Sequence, residues 1–253
     1  MMMSGLPCLS IGAGPPLIVL LFTPEAAIPT GLGRRYLMRT VGPFTEHFTV
    51  HVLTRRPGLS PTTTMAELAA HYAGAIEATF SESVNVLGMS TGGSIALQLA
   101  ADHPHLVARL VLGGTACTLG PIGKRAQRAY VDRARRGQRP SPALAELVTE
   151  SAIGRALVKA LGWVADGRKD HTDAATMLNA EDAYDLRGRL HDIKAPTLLI
   201  QGEEDLVYPL ELARQTARGI PGARLISYPG TSHAATFTDK RFVSDALTFL
   251  LNG

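Results

Sequence analysis

A serine, a carboxylate and a histidine stand in this chain at three points where they could act together on an acyl group. The serine lies in Gly88-Met89-Ser90-Thr91-Gly92-Gly93, a G-x-S-x-G that closes the apolar run Val84-Asn85-Val86-Leu87 and opens the helix-forming run from Ser94 to Ala100. Such a strand-to-helix turn pushes the serine out of the backbone with its Oγ exposed, and the flanking glycines let the two elements cross closely. A hydroxyl is a poor nucleophile at neutral pH and needs a base, normally a histidine oriented by a carboxylate. Of eight histidines, His233 directly follows the apolar strand ending in Tyr228. That places it on a loop at the C-terminal edge of a sheet, where open α/β folds bind ligands. For the acid, Ala195 to Gly202 reads as a buried strand running into the turn Glu203-Glu204-Asp205. Asp205 is taken as the acid, with Glu203 and Glu204 as competitors on the same loop. Each motif alone is also an ordinary polar turn; the order Ser, Asp, His, each after its own strand, joins them.

These residues need a scaffold, and the apolar pattern supplies one. Strand-like segments at Leu17–Leu21, Phe48–Leu53, Val84–Leu87, Leu106–Leu112, Thr197–Ile200 and Arg224–Tyr228 alternate with helical ones. That alternation predicts an α/β fold, a mostly parallel central sheet with helices on both faces. Met65 to Phe80 has the spacing of an amphipathic helix, capped among Thr62, Thr63 and Thr64 with Glu67 in its first turn. Residues 34–47 read as a helix or irregular connection, and a final helix runs from about Arg241 to Leu251. The stretch 120–190 holds no convincing strand and several helical segments, so it reads as a helical insertion between two sheet strands.

Taken together, the motifs resemble the α/β-hydrolase family over nearly the whole chain. The resemblance rests on the elbow Gly88–Gly93, the acid loop Pro196–Asp205 and the turn Gly230-Thr231-Ser232-His233. Thr54-Arg55-Arg56-Pro57-Gly58 also resembles the loop after the family's fourth strand. The resemblance implies an α/β-hydrolase core over 1–119 and 191–253, with 120–190 in the position of the helical cap. It makes Ser90 the nucleophile, His233 the base and then acid, and Asp205 the group that holds the imidazole. Family members usually carry His-Gly after the strand matching Leu17–Leu21; this chain has Phe22-Thr23-Pro24-Glu25. Direct alignment puts Pro24 at the oxyanion-donor position, and proline has no N–H. Either Phe22 or Thr23 donates from a shortened loop, or the hole is incomplete. The second donor is the Thr91 N–H. Trp163 and Met89 are candidates to line the acyl pocket, against the alternative that they are core packing.

The expected activity is hydrolysis of a carboxylic ester or thioester through an acyl-enzyme. Carbon–carbon bond hydrolysis uses the same triad, and a non-catalytic small-molecule-binding protein on this fold is the alternative from another class. No cofactor or metal is implied. Between Lys124 and Arg139 seven basic residues stand against Asp132 alone, in a chain of net charge +3. This window reads as a solvated helix face, or as a docking surface for an anionic partner such as a carboxylate or an acyl-carrier protein. No nucleic-acid motif accompanies it. At 45% hydrophobic and 19% charged residues the composition is that of a globular chain. No apolar run approaches the roughly 20 residues of a membrane span. The absence of a leader pattern, with only Cys8 and Cys117, points to a reducing, cytoplasmic compartment.

Overall fold

A computed structural model describes residues 2–23, 25–148, 152–167 and 170–252. Its centre is an eight-stranded sheet in the order β1-β2-β4-β3-β5-β6-β7-β8. The strands are β1 (Met2–Met3), β2 (Leu6–Ile11), β3 (Pro16–Leu20), β4 (Thr49–Leu53), β5 (Val84–Met89), β6 (Val107–Gly113), β7 (Thr197–Gly202) and β8 (Arg224–Tyr228). Strands β3 to β8 pair in parallel, and β2 joins β4 antiparallel. Parallel strands covered on both faces should be apolar throughout, and Leu17, Ile18, Val19 and Leu20 are all fully buried.

The chain leaves β3 toward β4 on one side and then returns to place β5 on the other. The C-terminal ends of β3 and β5 therefore form the point where the winding direction reverses, the usual site of the ligand crevice in such sheets. One face of the sheet packs on α2 (Met65–Glu77) and α3 (Thr91–Asp102), and the other on α1 (Gly31–Val41) and the C-terminal helix Lys240–Asn252. Helix α2 starts where its capping box predicts. The Glu67 N–H donates to Thr64 Oγ1 at 3.2 Å, and the Thr64 N–H returns the bond to Glu67 Oε2 at 2.7 Å. Helix α3 is buried from Thr91 to Ala101, which accounts for its run of Gly, Ser and Ala beside the central strands.

Between β6 and β7 lie the helices α4 (Pro121–Arg135), α5 (Ala145–Val148), α6 (Ala152–Asp166) and α7 (Thr172–Asp182). Helix α4 buries Gly123, Ala126, Gln127, Tyr130 and Val131, while Ala129 is exposed. The buried stripe thus includes a glutamine, for a reason found at the site. Two elements carry weak sequence signals. Strand β2, Leu-Pro-Cys-Leu-Ser-Ile, holds a proline and a serine, and is built on antiparallel pairing with β4. Helix α8 (Leu210–Gly219) buries only Ala213 and Thr216, so its apolar stripe is thin. Among the described residues no helix is long and apolar enough to cross a membrane.

Candidate active site

Ser90 stands between β5 and α3 with φ 53° and ψ −128°, a left-handed conformation that a serine adopts only when its surroundings impose it. The imposing contacts are backbone crossings. A Cβ on Gly92 would sit 2.2 Å from the Leu20 carbonyl oxygen, and one on Gly88 would sit 2.6 Å from Ala96 Cβ. Helix α3 therefore starts in direct contact with the end of β3, and the Ser90 N–H is tied to the Gly113 carbonyl of β6 at 3.0 Å.

Three side chains converge at this edge of the sheet. Ser90 Oγ lies 2.9 Å from His233 Nε2, and His233 Nδ1 lies 2.7 Å from Asp205 Oδ2. With the carboxylate accepting at Nδ1, the ring carries its proton there and leaves Nε2 to accept from the serine hydroxyl. Asp205 is held from three further directions. The Val207 and Tyr208 N–H groups donate to Oδ1 at 2.8 and 2.9 Å, and Gln201 Nε2 donates to Oδ2 at 2.8 Å. Its side chain is fully shielded from solvent. Glu203 and Glu204 are exposed; Glu203 accepts from Ser227 Oγ at 2.7 Å instead. The imidazole sits between Tyr208, at 5.9 Å between ring centroids, and Phe237, edge-on at 5.5 Å.

Gln201 and Tyr208 were not singled out by sequence reasoning. Their only signal is position, four residues before and three after an acid at a strand end. A third such residue is Glu181 on α7. Fully buried, it accepts from Thr91 Oγ1 at 2.8 Å, from Gln127 Nε2 at 2.6 Å and from the Tyr208 hydroxyl. This explains the glutamine on the buried stripe of α4. Burial, with Glu181 alongside, pushes the Tyr208 phenol well above its ordinary pKa, so it stays protonated and donates.

A cavity of about 920 Å³ opens beside Ser90 and His233. Phe22, Thr23 and Met89 line it together with Ile28, Tyr36 and Phe237. Leu20 pairs with Gly88, so carrying the register on two residues sets Phe22 level with Ser90. Thr91 opens α3, where no intrahelical carbonyl reaches its N–H. The loop after β3 is anchored from behind: the buried Arg55 donates from Nη1 to the Thr23 carbonyl at 2.5 Å. Burial pulls that guanidinium down, with Asp173 countering. Pro24 lies outside the described residues. Trp163 lies elsewhere: the residue is 53% exposed, the Arg139 guanidinium stacks on its ring at 3.5 Å, and it does not line the cavity. A lone aromatic in an inserted helix has no need to face the site, and here it covers an arginine. Among the described residues, none of those lining the cavity belongs to 120–190, and no cluster of three His, Cys, Asp or Glu side chains is arranged for a metal ion.

The family described as serine aminopeptidase, S33, matches residues 60–240. The chain belongs to the α/β-hydrolase superfamily. Among solved structures, this α/β-hydrolase superposes on an enol-lactonase from Burkholderia xenovorans LB400 with a TM-score of 0.77 and 25% identity, covering 97% of this chain and 96% of that one. It is 34% identical over 169 residues to a pimeloyl-[acyl-carrier protein] methyl ester esterase of Aromatoleum aromaticum, covering 59% of this chain and 66% of that protein. It is also 30% identical to a 2-hydroxymuconate semialdehyde hydrolase of Pseudomonas putida, covering 64% of this chain and 60% of that protein. The chain thus matches somewhat less than two thirds of each of these two relatives' length.

Proposed function

We propose that this α/β-hydrolase is a serine hydrolase acting on carboxylic esters or thioesters. The observation that carries the reading is the unbroken line from Ser90 Oγ through His233 to Asp205, at 2.9 and 2.7 Å, beside a cavity. In this reading Ser90 Oγ attacks the carbonyl carbon as its proton passes to His233 Nε2. Asp205 keeps the ring in the tautomer that can accept and stabilises the imidazolium that forms. The tetrahedral oxyanion is held by the Thr91 N–H and by an N–H of Phe22 or Thr23. His233 then protonates the leaving alcohol or thiol, and water attacks the acyl-enzyme by the reverse path. A lactone is a cyclic ester, and a methyl ester is an acyl ester, so two of the relatives' named reactions fall in this class.

The cavity narrows the acyl group. Its lining is mostly apolar, Glu25 is the lining carboxylate, and among the described lining residues there is no lysine or arginine. A neutral acyl chain suits it better than one ending in a carboxylate. A series of p-nitrophenyl esters and acyl thioesters of graded length, run against p-nitrophenyl hemiesters of dicarboxylic acids, tests this. Neutral chains should turn over at least about tenfold faster in kcat/KM. Equal rates, or a preference for the dicarboxylates, would retire the assignment of the pocket.

A second feature bears on what carries the acyl group. A separate groove of about 730 Å³ is lined by Lys124, Arg125, Arg128 and Arg187. Two matched relatives are named as esterases of an acyl-carrier-protein ester. We read the groove as a docking surface for an acidic carrier, with the neutral acyl end in the Ser90 cavity.

A further inference from the structure

Glu181 breaks two rules that govern carboxylates in helices. It lies in the last turn of α7, where the helix dipole disfavours negative charge, and it is completely buried. Burying a carboxylate is costly unless donors surround it, and here three do: Thr91 Oγ1, Gln127 Nε2 and the Tyr208 hydroxyl. None of these donors is a cation. An all-apolar cluster at these four positions would fold with less desolvation, so the carboxylate and its donors are retained as a set.

Two of the donors belong to opposite ends of the candidate machinery. Thr91 follows Ser90 and carries the N–H assigned to the oxyanion. Tyr208 gives its own N–H to Asp205 at 2.9 Å and lays its ring against His233. The Tyr208 hydroxyl also lies 3.1 Å from Ser94 Oγ in the first turn of α3. The third donor, Gln127, comes from α4 of the insertion.

We propose that Glu181 is a positioning residue, clamping the start of α3 and the acid loop in one geometry and making the inserted helices part of the catalytic frame. The clamp fixes the Thr91 side chain, and with it the peptide whose N–H faces the oxyanion. It also fixes the ring that packs against His233. This rests on the serine-hydrolase reading above.

The test uses kcat per active site, counted by end-point labelling with a fluorophosphonate, so that unfolded molecules do not enter. Glu181→Leu should lower kcat at least thirtyfold with KM within about threefold of wild type. Glu181→Gln keeps the shape and one acceptor oxygen, and should recover kcat to within about fivefold. Thr91→Val removes only the hydroxyl, so it tests the same link should Glu181→Leu not fold. It should lower kcat about tenfold alone and add little in the Glu181→Leu background, because the two groups share one bond. Unchanged kcat per site in Glu181→Leu or in Thr91→Val, losses confined to KM, or strictly additive effects would overturn the role. A folded wild type that takes no fluorophosphonate label and turns over no ester would instead bring down the hydrolase reading itself.

Discussion

At the scale of single residues, the site is defined by which proton each group holds. Asp205 accepts four hydrogen bonds, from His233, Gln201 and the Val207 and Tyr208 N–H groups, and has no solvent-facing side-chain atom. Asp205→Asn keeps the shape but turns one acceptor into a donor, which favours the tautomer with its proton on Nε2. We expect kcat to fall about 10⁴-fold with the fold intact, measured on any ester that the wild type turns over. Full activity would mean that the imidazole needs no carboxylate here. That Ser90, Asp205 and His233 would meet at one sheet edge was legible in the sequence, because each follows a strand that its apolar run announces. Gln201, Tyr208 and Glu181 were not, since polar residues that bond to one another across the fold leave no periodic trace. Trp163 was misleading for the opposite reason: a large side chain attracts attention, but its sequence neighbours do not say which way it faces.

At the scale of elements, the elbow exists because α3 begins where β3 ends. Gly92→Ala would drive a Cβ to within 2.2 Å of the Leu20 carbonyl oxygen, and backbone cannot give way there. We expect that variant to lose activity far beyond its loss of stability, as read by active-site titration beside thermal unfolding. Helix ends offer a separate check. Asp239 caps the C-terminal helix, accepting from the Arg241 N–H at 2.9 Å and from the Arg241 guanidinium. Those bonds hold its carboxyl down at about 2. Because the folded pKa is depressed, its stabilisation is present above the unfolded value near 3.8 and is lost as pH falls through about 2. The difference in Tm between wild type and Asp239→Ala should therefore be constant from pH 7 to 5 and shrink below pH 4. A difference that grows on acidification would contradict the assignment. Core strands and α2 were readable to within a few residues, whereas β2 and α8 were hidden. Their partners, not their own apolar pattern, hold them in place.

At the scale of the whole molecule, the chain puts an apolar cavity and a cationic groove in different places, with no lining residue in common. Arg128 of α4 is engaged as well as exposed, pairing with Asp182 at 2.9 Å. If the groove docks an acidic carrier, Arg125→Glu with Arg128→Glu should cut kcat/KM on an acyl-carrier-protein ester at least tenfold. The same pair should leave a small neutral ester within twofold, and the carrier reaction should weaken with added salt. Equal losses on both substrates would remove the carrier from the account. The asymmetry of charge was plain from composition, but the sequence did not show that none of the described cavity lining comes from the inserted helices. All of this rests on Ser90 being a nucleophile. The direct measurement is labelling of the folded protein with a fluorophosphonate, followed by mass analysis of the peptide containing Gly88 to Gly93. The account predicts one adduct per chain, located on Ser90 and absent from folded Ser90→Ala. A folded wild type that takes no label, or a Ser90→Ala variant labelled equally well, would contradict it.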